Sequence, residues 1–329
     1  MTIKISNLIL NKRKILNWET FAENINTSFW DSVFNDERLD INLEEINIIN
    51  HDGLIWIVYI LLKRKMNSLF TYITLPSEEN KIAFIKYYGL PELQKVLNFT
   101  FINEYVLFLY EKEYKPKPIT KMLKSIKLIN GSNWYQINNQ SNEALKNYIL
   151  NEYNINPIGQ EAFEELDPFC RTLEEFIQNI ALHGGAEPGN GLGLVSFTPL
   201  PKEFNKIRYC FGDIGSGFLE TINKKSDKKV LSHKNAIITG LLYRYYNPKD
   251  GIAGLYPTLK YIRKNNGIIA IRSGDAFIKL DFNDQRVLNN FDNSYRDNPT
   301  EEWLSSIIVS KKCNIISGTH ILVELQIHR

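Results

Sequence analysis

Cysteine is scarce in this sequence, with 3 in 329 residues, and an odd number of thiols cannot pair completely in disulfides. Cys170, Cys210 and Cys313 also lie too far apart to follow the spacing of a zinc-binding motif. These observations argue against a disulfide-stabilised secreted domain and against a zinc finger. We therefore expect the chain to occupy a reducing compartment.

Long apolar segments and an excess of one charge are missing as well. No segment approaches the roughly 18 uninterrupted apolar residues of a membrane-spanning helix, and the first residues contain no apolar run followed by a cleavage site. Lys and Arg together number 39 and Asp and Glu 37, for a formal net charge of +2. This balance indicates neither nucleic-acid binding nor membrane attachment, so a cytoplasmic protein is expected.

The best-defined local pattern is the stretch DPFCRTLEEFIQNIALHGG, residues 167–185. Asp167 stands where an N-cap belongs and Pro168 at the first helical position, and apolar side chains then recur at helical spacing until the glycine pair. The pattern predicts an amphipathic helix. Because residues four apart lie on one face, Glu175, Asn179 and His183 form a polar stripe beside the apolar one.

A solvated helix face is the alternative explanation for such a stripe, since amphipathic helices normally have one. The motifs downstream favour a functional site instead. Strand-like residues 207–211 run into a glycine-bearing turn, and a second glycine turn precedes a helical stretch at 256–264. In chain order the motifs are Glu-x-x-x-Asn, Asp-x-Gly-x-Gly, Gly-x-x-Gly-Leu, the strand-like NGIIAIRS and Gly-Thr, at positions 175–179, 213–217, 251–255, 266–273 and 318–319.

This order of motifs resembles the ATP-binding domain of the GHKL superfamily, to which gyrase, sensor histidine kinases and the MutL mismatch-repair proteins belong. The resemblance covers about residues 135–329, and NIALHG at 179–184 is most similar to the anti-sigma-factor serine kinases. It implies an α/β sandwich of the Bergerat type with ATP and Mg²⁺ as cofactors. It also implies slow ATP hydrolysis, or phosphoryl transfer to a Ser or Thr of a partner protein.

The resemblance assigns roles that suit the residue types. Asn179 is the Mg²⁺ ligand, since Mg²⁺ prefers oxygen, and Glu175 is the base that orients the attacking water or hydroxyl. Asp213 recognises the exocyclic amine of adenine, because the amine can donate a hydrogen bond to a carboxylate. His183 either contacts phosphate or stabilises the helix C-terminus. The other residues implied to contact the nucleotide are Gly215, Gly217, Gly251, Gly254, Leu255 and Thr319.

The first hundred residues carry an α/β pattern of their own, with strand-like runs at 39–43 and 70–75 around an apolar helical run at 54–62. The pattern resembles the STAS domain of anti-sigma-factor antagonists and sulfate transporters. The turn before the helix lacks the hydroxyl that such antagonists phosphorylate and has His51 and Asp52 instead. Asp52 is predicted either to cap the helix or to present a fixed negative charge to a partner.

The predicted fold class is therefore α/β in two domains, a STAS-like domain at 1–105 and an ATP-binding domain at 135–329, joined by a connector at 106–134. An insertion near 281–312 contains an amphipathic helix around Trp303, and 218–250 takes the place of a nucleotide lid. The alternative function is a nucleotide-gated interaction module without significant turnover, although a pure binder has no need of Glu175. The sequence does not identify the protein partner and is compatible with a homodimer.

Overall fold

A computed structural model describes residues 2–4, 15–18, 21–22, 27–109, 126–153, 160–184, 191–199, 205–225, 229–246, 255–294 and 300–327. The chain is mixed α/β and divides into two compact units, Met1–Lys127 and Leu128–Arg329. No disulfide joins the three cysteines, all of which lie within the described residues. Among the described helices, none has both the length and the apolarity to cross a membrane.

The N-terminal unit is built around a parallel sheet. Its strands are β1 (Thr2–Lys4), β2 (Ile15–Leu16), β3 (Arg38–Asn42), β4 (Ile48–Ile49), β5 (Phe70–Thr74) and β6 (Phe99–Phe101). Its helices are α1 (Thr27–Asn35), α2 (His51–Met66), α3 (Glu79–Tyr87), α4 (Leu90–Leu93) and α5 (Val106–Leu109). Within the described residues, the sheet has the order β1-β3-β5-β6 with every pair parallel, and β2 pairs separately with β4.

The middle of helix α2, residues 54–62, is apolar on every side and lies inside the unit. Each residue from Leu54 to Leu62 is at most 2% exposed. Trp56, at its centre, contacts the rings of Trp18, Phe21, Trp30 and Tyr59 with centroid separations between 5.7 and 6.2 Å. These rings form an aromatic cluster in the core of the unit.

Asp52 places a negative charge in the first turn of α2, as predicted, but it is neither the N-cap residue nor exposed to a partner. Asn50 holds the N-cap position, and Asp52 lies within the first turn at 1% exposure. Its Oδ2 accepts a hydrogen bond of 3.1 Å from the backbone N–H of Trp18. A carboxylate buried in this way is not presented to a partner, so the docking hypothesis for Asp52 is wrong.

Arg64, near the end of α2, is a second buried charge in this unit. Its Nε donates to Thr71 Oγ1 at 2.8 Å. Its four remaining donors reach backbone carbonyls: those of Val33, Asp36, Glu37 and Phe70, at 2.6 to 3.3 Å. Burial lowers the pKa of the guanidinium from its ordinary value, but the five donors of an arginine are all matched by acceptors. Arg64 thus joins the end of α2 to α1, the following loop and β5.

The strands of the C-terminal unit are β7 (Lys127–Asn130), which begins at the boundary between the units, β8 (Leu192–Pro199), β9 (Lys206–Asp213), β10 (Ile268–Asp281) and β11 (Val309–Gln326). Its helices are α6 (Trp134–Tyr153), α7 (Gln160–His183), α8 (Gly217–Lys225), α9 (His233–Tyr246), α10 (Tyr256–Lys264), α11 (Gln285–Ser294) and α12 (Glu301–Ile307). The described strands form a sheet of order β10-β11-β9-β8-β7. Neighbours from β10 to β8 are antiparallel.

Helix α7 packs its apolar stripe on the middle of this sheet. The rings of Phe176 and Phe211 lie 4.7 Å apart, and Tyr209 Oη donates to the carbonyl of Phe169 at 3.5 Å. Because side chains alternate along β9, Tyr209 and Phe211 both point toward α7. The polar stripe of α7 is therefore turned away from the centre of this interface.

The predicted start of α7 is wrong. The helix begins at Gln160, so Asp167 is an interior residue rather than an N-cap, and it pairs with Arg171 at 3.2 Å. Pro168 removes one backbone donor from the helix. The Thr172 hydroxyl donates to the Pro168 carbonyl at 2.7 Å, one turn further along the helix.

Two segments that the sequence sets apart contain regular elements. The range 218–250, predicted as a nucleotide lid, contains most of α8 and all of α9. The range 281–312 contains α11, the predicted helix α12 and the start of β11. Phe291 and Leu304 in this range are at most 1% exposed, so these two helices belong to the core of the unit.

Candidate functional site

Asp213, the last residue of β9, is the centre of a group of backbone hydrogen bonds. Its Oδ1 accepts from the backbone N–H of Gly215 at 2.9 Å and from that of Thr319 at 3.2 Å. Gly215 is two residues away, whereas Thr319 comes from the middle of β11. The structure therefore brings together three of the residues that the sequence implied for nucleotide contact, from motifs far apart in the chain.

Glycines allow the segments around Asp213 to approach one another closely. A Cβ at Gly318, which has φ +79°, would lie 2.0 Å from the carbonyl oxygen of Asp213. A Cβ at Gly215 would lie 2.8 Å from the carbonyl oxygen of His183, and one at Gly184 would lie 2.9 Å from the Cβ of Asp213. The C-terminal end of α7, the turn after β9 and the Gly-Thr turn of β11 thus pack against one another.

The polar stripe of α7 leads toward this junction. Asn179 Nδ2 donates to Glu175 Oε1 at 3.0 Å, and both side chains are half-buried. The bond uses the nitrogen of the amide, so the carbonyl oxygen of Asn179 is the atom suited to a hard cation such as Mg²⁺. His183, also half-buried, is the last residue of α7.

The second glycine motif is only partly described. Gly251 and Gly254 lie outside the described residues. Leu255 is 5% exposed, and its backbone N–H donates to the carbonyl of Gly240 at 3.2 Å, which connects α9 to the start of α10. Within the described residues, no group of three or more His, Cys, Asp or Glu is placed to hold a metal ion.

Ser273 and His320 are neighbours of this site; Ser273 ends the motif at 266–273, whereas the sequence patterns did not single out His320. Ser273, on β10, is fully buried, and its Oγ donates to the carbonyl of Gly318 at 3.2 Å. His320 follows Thr319 and is also fully buried. The resemblance assigned neither residue a role, because the contacts of both depend on strand pairing between β10 and β11 and not on local spacing.

His320 should make the stability of the C-terminal unit depend on pH. Burial, and then the neighbouring Arg272, lower the pKa of its imidazole well below the ordinary value of 6.5. The unfolded chain therefore binds a proton below pH 6.5 that the folded unit does not bind. The unfolding free energy should fall by up to about 1.4 kcal/mol per pH unit as the pH drops below 6.5.

Urea unfolding of the wild type and His320→Leu at pH 7.5 and pH 5.5 measures this contribution. Leucine fills similar space and cannot titrate, so the variant should lose less stability between the two pH values than the wild type. Equal losses in the two proteins would show that His320 does not carry the pH dependence.

No protein-family model, curated protein or solved structure matches this chain.

Proposed function

We propose that the C-terminal unit binds ATP with Mg²⁺ in the manner of the GHKL superfamily, as an intracellular regulator that hydrolyses ATP slowly or phosphorylates a Ser or Thr of a partner protein. The observation that carries the proposal is the junction at Asp213. There the end of α7, the Asp-x-Gly-x-Gly turn and the Gly-Thr turn pack together. These are three of the motifs on which the resemblance rests.

The Asp213 carboxylate fits the recognition of an amino purine. Two backbone N–H groups bond to Oδ1 and fix the orientation of the side chain. A carboxylate is an acceptor, so it favours the amine of adenine over the carbonyl that guanine has at the same position. The glycines at 215 and 318 leave room for the backbone to lie close to this carboxylate.

Glu175 and Asn179 fit the phosphate end of such a ligand. Bound ATP would supply the γ-phosphoryl group, and Mg²⁺ would compensate its charge. The Asn179 oxygen would contact the cation, while the amide nitrogen holds Glu175 Oε1 in place at 3.0 Å. Glu175 would then orient a water or hydroxyl and accept its proton.

The test of turnover is phosphate release by the purified full chain with Mg²⁺ and ATP. Glu175→Ala should lower the rate about 100-fold or more, the usual contribution of a general base, and should leave ATP affinity within a few-fold of wild type. Glu174→Ala is the matched control, because Glu174 is the neighbouring carboxylate and pairs with Arg171, at 3.4 Å.

The outcomes separate the two function classes. A selective loss in Glu175→Ala supports an enzyme. Equal rates in all three proteins would remove Glu175 from the mechanism. ATP binding without phosphate release, in the presence or absence of candidate partners, would instead support a nucleotide-gated interaction module.

A further inference from the structure

The β10–β11 ladder is irregular beside the site. The register runs regularly from Ile268↔Glu324 to Ser273↔Thr319 and then shifts, so that Gly274 lies opposite Ile316. Ser317 and Gly318 are thereby left outside the regular pairing. The shift gives the chain room for the left-handed conformation of Gly318, at φ +79°.

Ser273, at this irregularity, contacts two other segments through one hydroxyl group. Its Oγ accepts from the backbone N–H of Phe218 at 3.1 Å and donates to the carbonyl of Gly318 at 3.2 Å, with Thr319 Oγ1 at 3.4 Å. A Cβ at Gly217 would lie 2.6 Å from the same oxygen. Ser273 therefore holds the first turn of α8 against the Gly-Thr turn of β11.

Both backbone donors to Asp213 belong to the segments that Ser273 joins. Gly215 lies two residues before Gly217, and Thr319 directly follows Gly318. We propose that Ser273 is a positioning residue for base recognition: its hydroxyl fixes the two turns whose N–H groups orient the Asp213 carboxylate. This inference rests on the proposed function, because it assigns Ser273 to the adenine specificity of the same site.

The role predicts a specific effect on affinity. Without the hydroxyl, the turns at 215–217 and 318–319 lose their shared contact, and Asp213 samples other orientations. A hydrogen bond to the purine amine depends on that orientation, whereas contacts to the phosphates do not. Ser273→Ala should therefore weaken ATP binding about tenfold, the amount expected for one well-placed hydrogen bond, and leave GTP binding almost unchanged.

The experiment compares wild type, Ser273→Ala and Ser196→Ala by calorimetry with ATP and with GTP in the presence of Mg²⁺. Ser196 is a matched control, because it is 1% exposed and lies on β8 of the same sheet. Hydrogen exchange of the nucleotide-free proteins is measured in parallel. Faster exchange in 213–218 and 316–320 is expected for Ser273→Ala alone.

The outcomes distinguish the inference from the proposed function. Loss of the preference for ATP together with faster exchange in the two turns supports the role of Ser273. Equal weakening of ATP and GTP, or unchanged exchange in both turns, would overturn that role while leaving ATP binding by the wild type in place. A wild type that binds neither nucleotide would overturn the proposed function and, with it, the role of Ser273.

Discussion

Replacement of Gly318 by alanine is expected to lower the unfolding free energy of the C-terminal unit by at least about 3 kcal/mol and to abolish ATP binding. The added Cβ would lie 2.0 Å from the carbonyl oxygen of Asp213, which is backbone and cannot swing away. The φ of +79° adds strain of about 1–2 kcal/mol for a residue with a Cβ. Scanning calorimetry should show the transition of this unit lowered by roughly 6–12 °C.

Gly89→Ala is the control for the strain alone. Gly89 has nearly the same φ, +77°, but its Cβ would meet only the flexible side chain of Glu92, at 3.6 Å. Gly89→Ala should therefore lower the unfolding free energy of the N-terminal unit by only about 1–2 kcal/mol. If Gly318→Ala cost no more than Gly89→Ala and kept its ATP affinity, the close packing of the Gly-Thr turn on Asp213 would be refuted.

Arg64→Lys is expected to destabilise the N-terminal unit by about 3–4 kcal/mol, although both side chains are cationic. Lysine has three donors on one nitrogen and cannot reach acceptors that surround a planar guanidinium. At least two of the buried acceptors now satisfied by Arg64 would lose their partner. The buried ammonium would also lose more hydration than the guanidinium does.

Arg38→Lys is the matched control in the same unit. The Arg38 side chain is 62% exposed and pairs with Asp40 at 3.2 Å, so its replacement should cost less than about 1 kcal/mol. Denaturant unfolding followed by the fluorescence of the buried tryptophans measures both variants. Similar small losses of unfolding free energy in Arg64→Lys and Arg38→Lys would contradict the structural role of Arg64.

Local periodicity predicted most of the regular elements. The helix α10, Tyr256–Lys264, has the predicted bounds, and α2 surrounds the predicted run at 54–62. The start of α7 was predicted wrongly because Asp167 and Pro168 are residue types typical of a helix start. In the structure both lie inside the helix, where the contacts of the full helix override that preference. Boundaries depend on packing that the local sequence does not contain.

Candidate site residues were predictable where they belong to a motif with fixed spacing. Glu175 and Asn179 lie four apart on one helix, and their hydrogen bond follows from that geometry. The contact of Thr319 with Asp213 joins residues 106 apart, and the resemblance suggested only that both belong to the site. Ser273 ends the motif at 266–273, but no role was assigned to it, because its contacts depend on a register shift between two strands.

The central claim is that Asp213 makes the C-terminal unit an adenine-nucleotide site. Calorimetry of Mg²⁺–ATP and Mg²⁺–GTP with the wild type, Asp213→Asn and Asp284→Asn tests it most directly. Asp284 is a suitable control, since its carboxylate bonds to Arg286 on the surface. We predict that the wild type prefers ATP, and that Asp213→Asn alone weakens ATP binding by about 1.5–3 kcal/mol through loss of a charge-assisted hydrogen bond. Equal affinity of the wild type for ATP and GTP, or unchanged ATP affinity in Asp213→Asn, would contradict the claim.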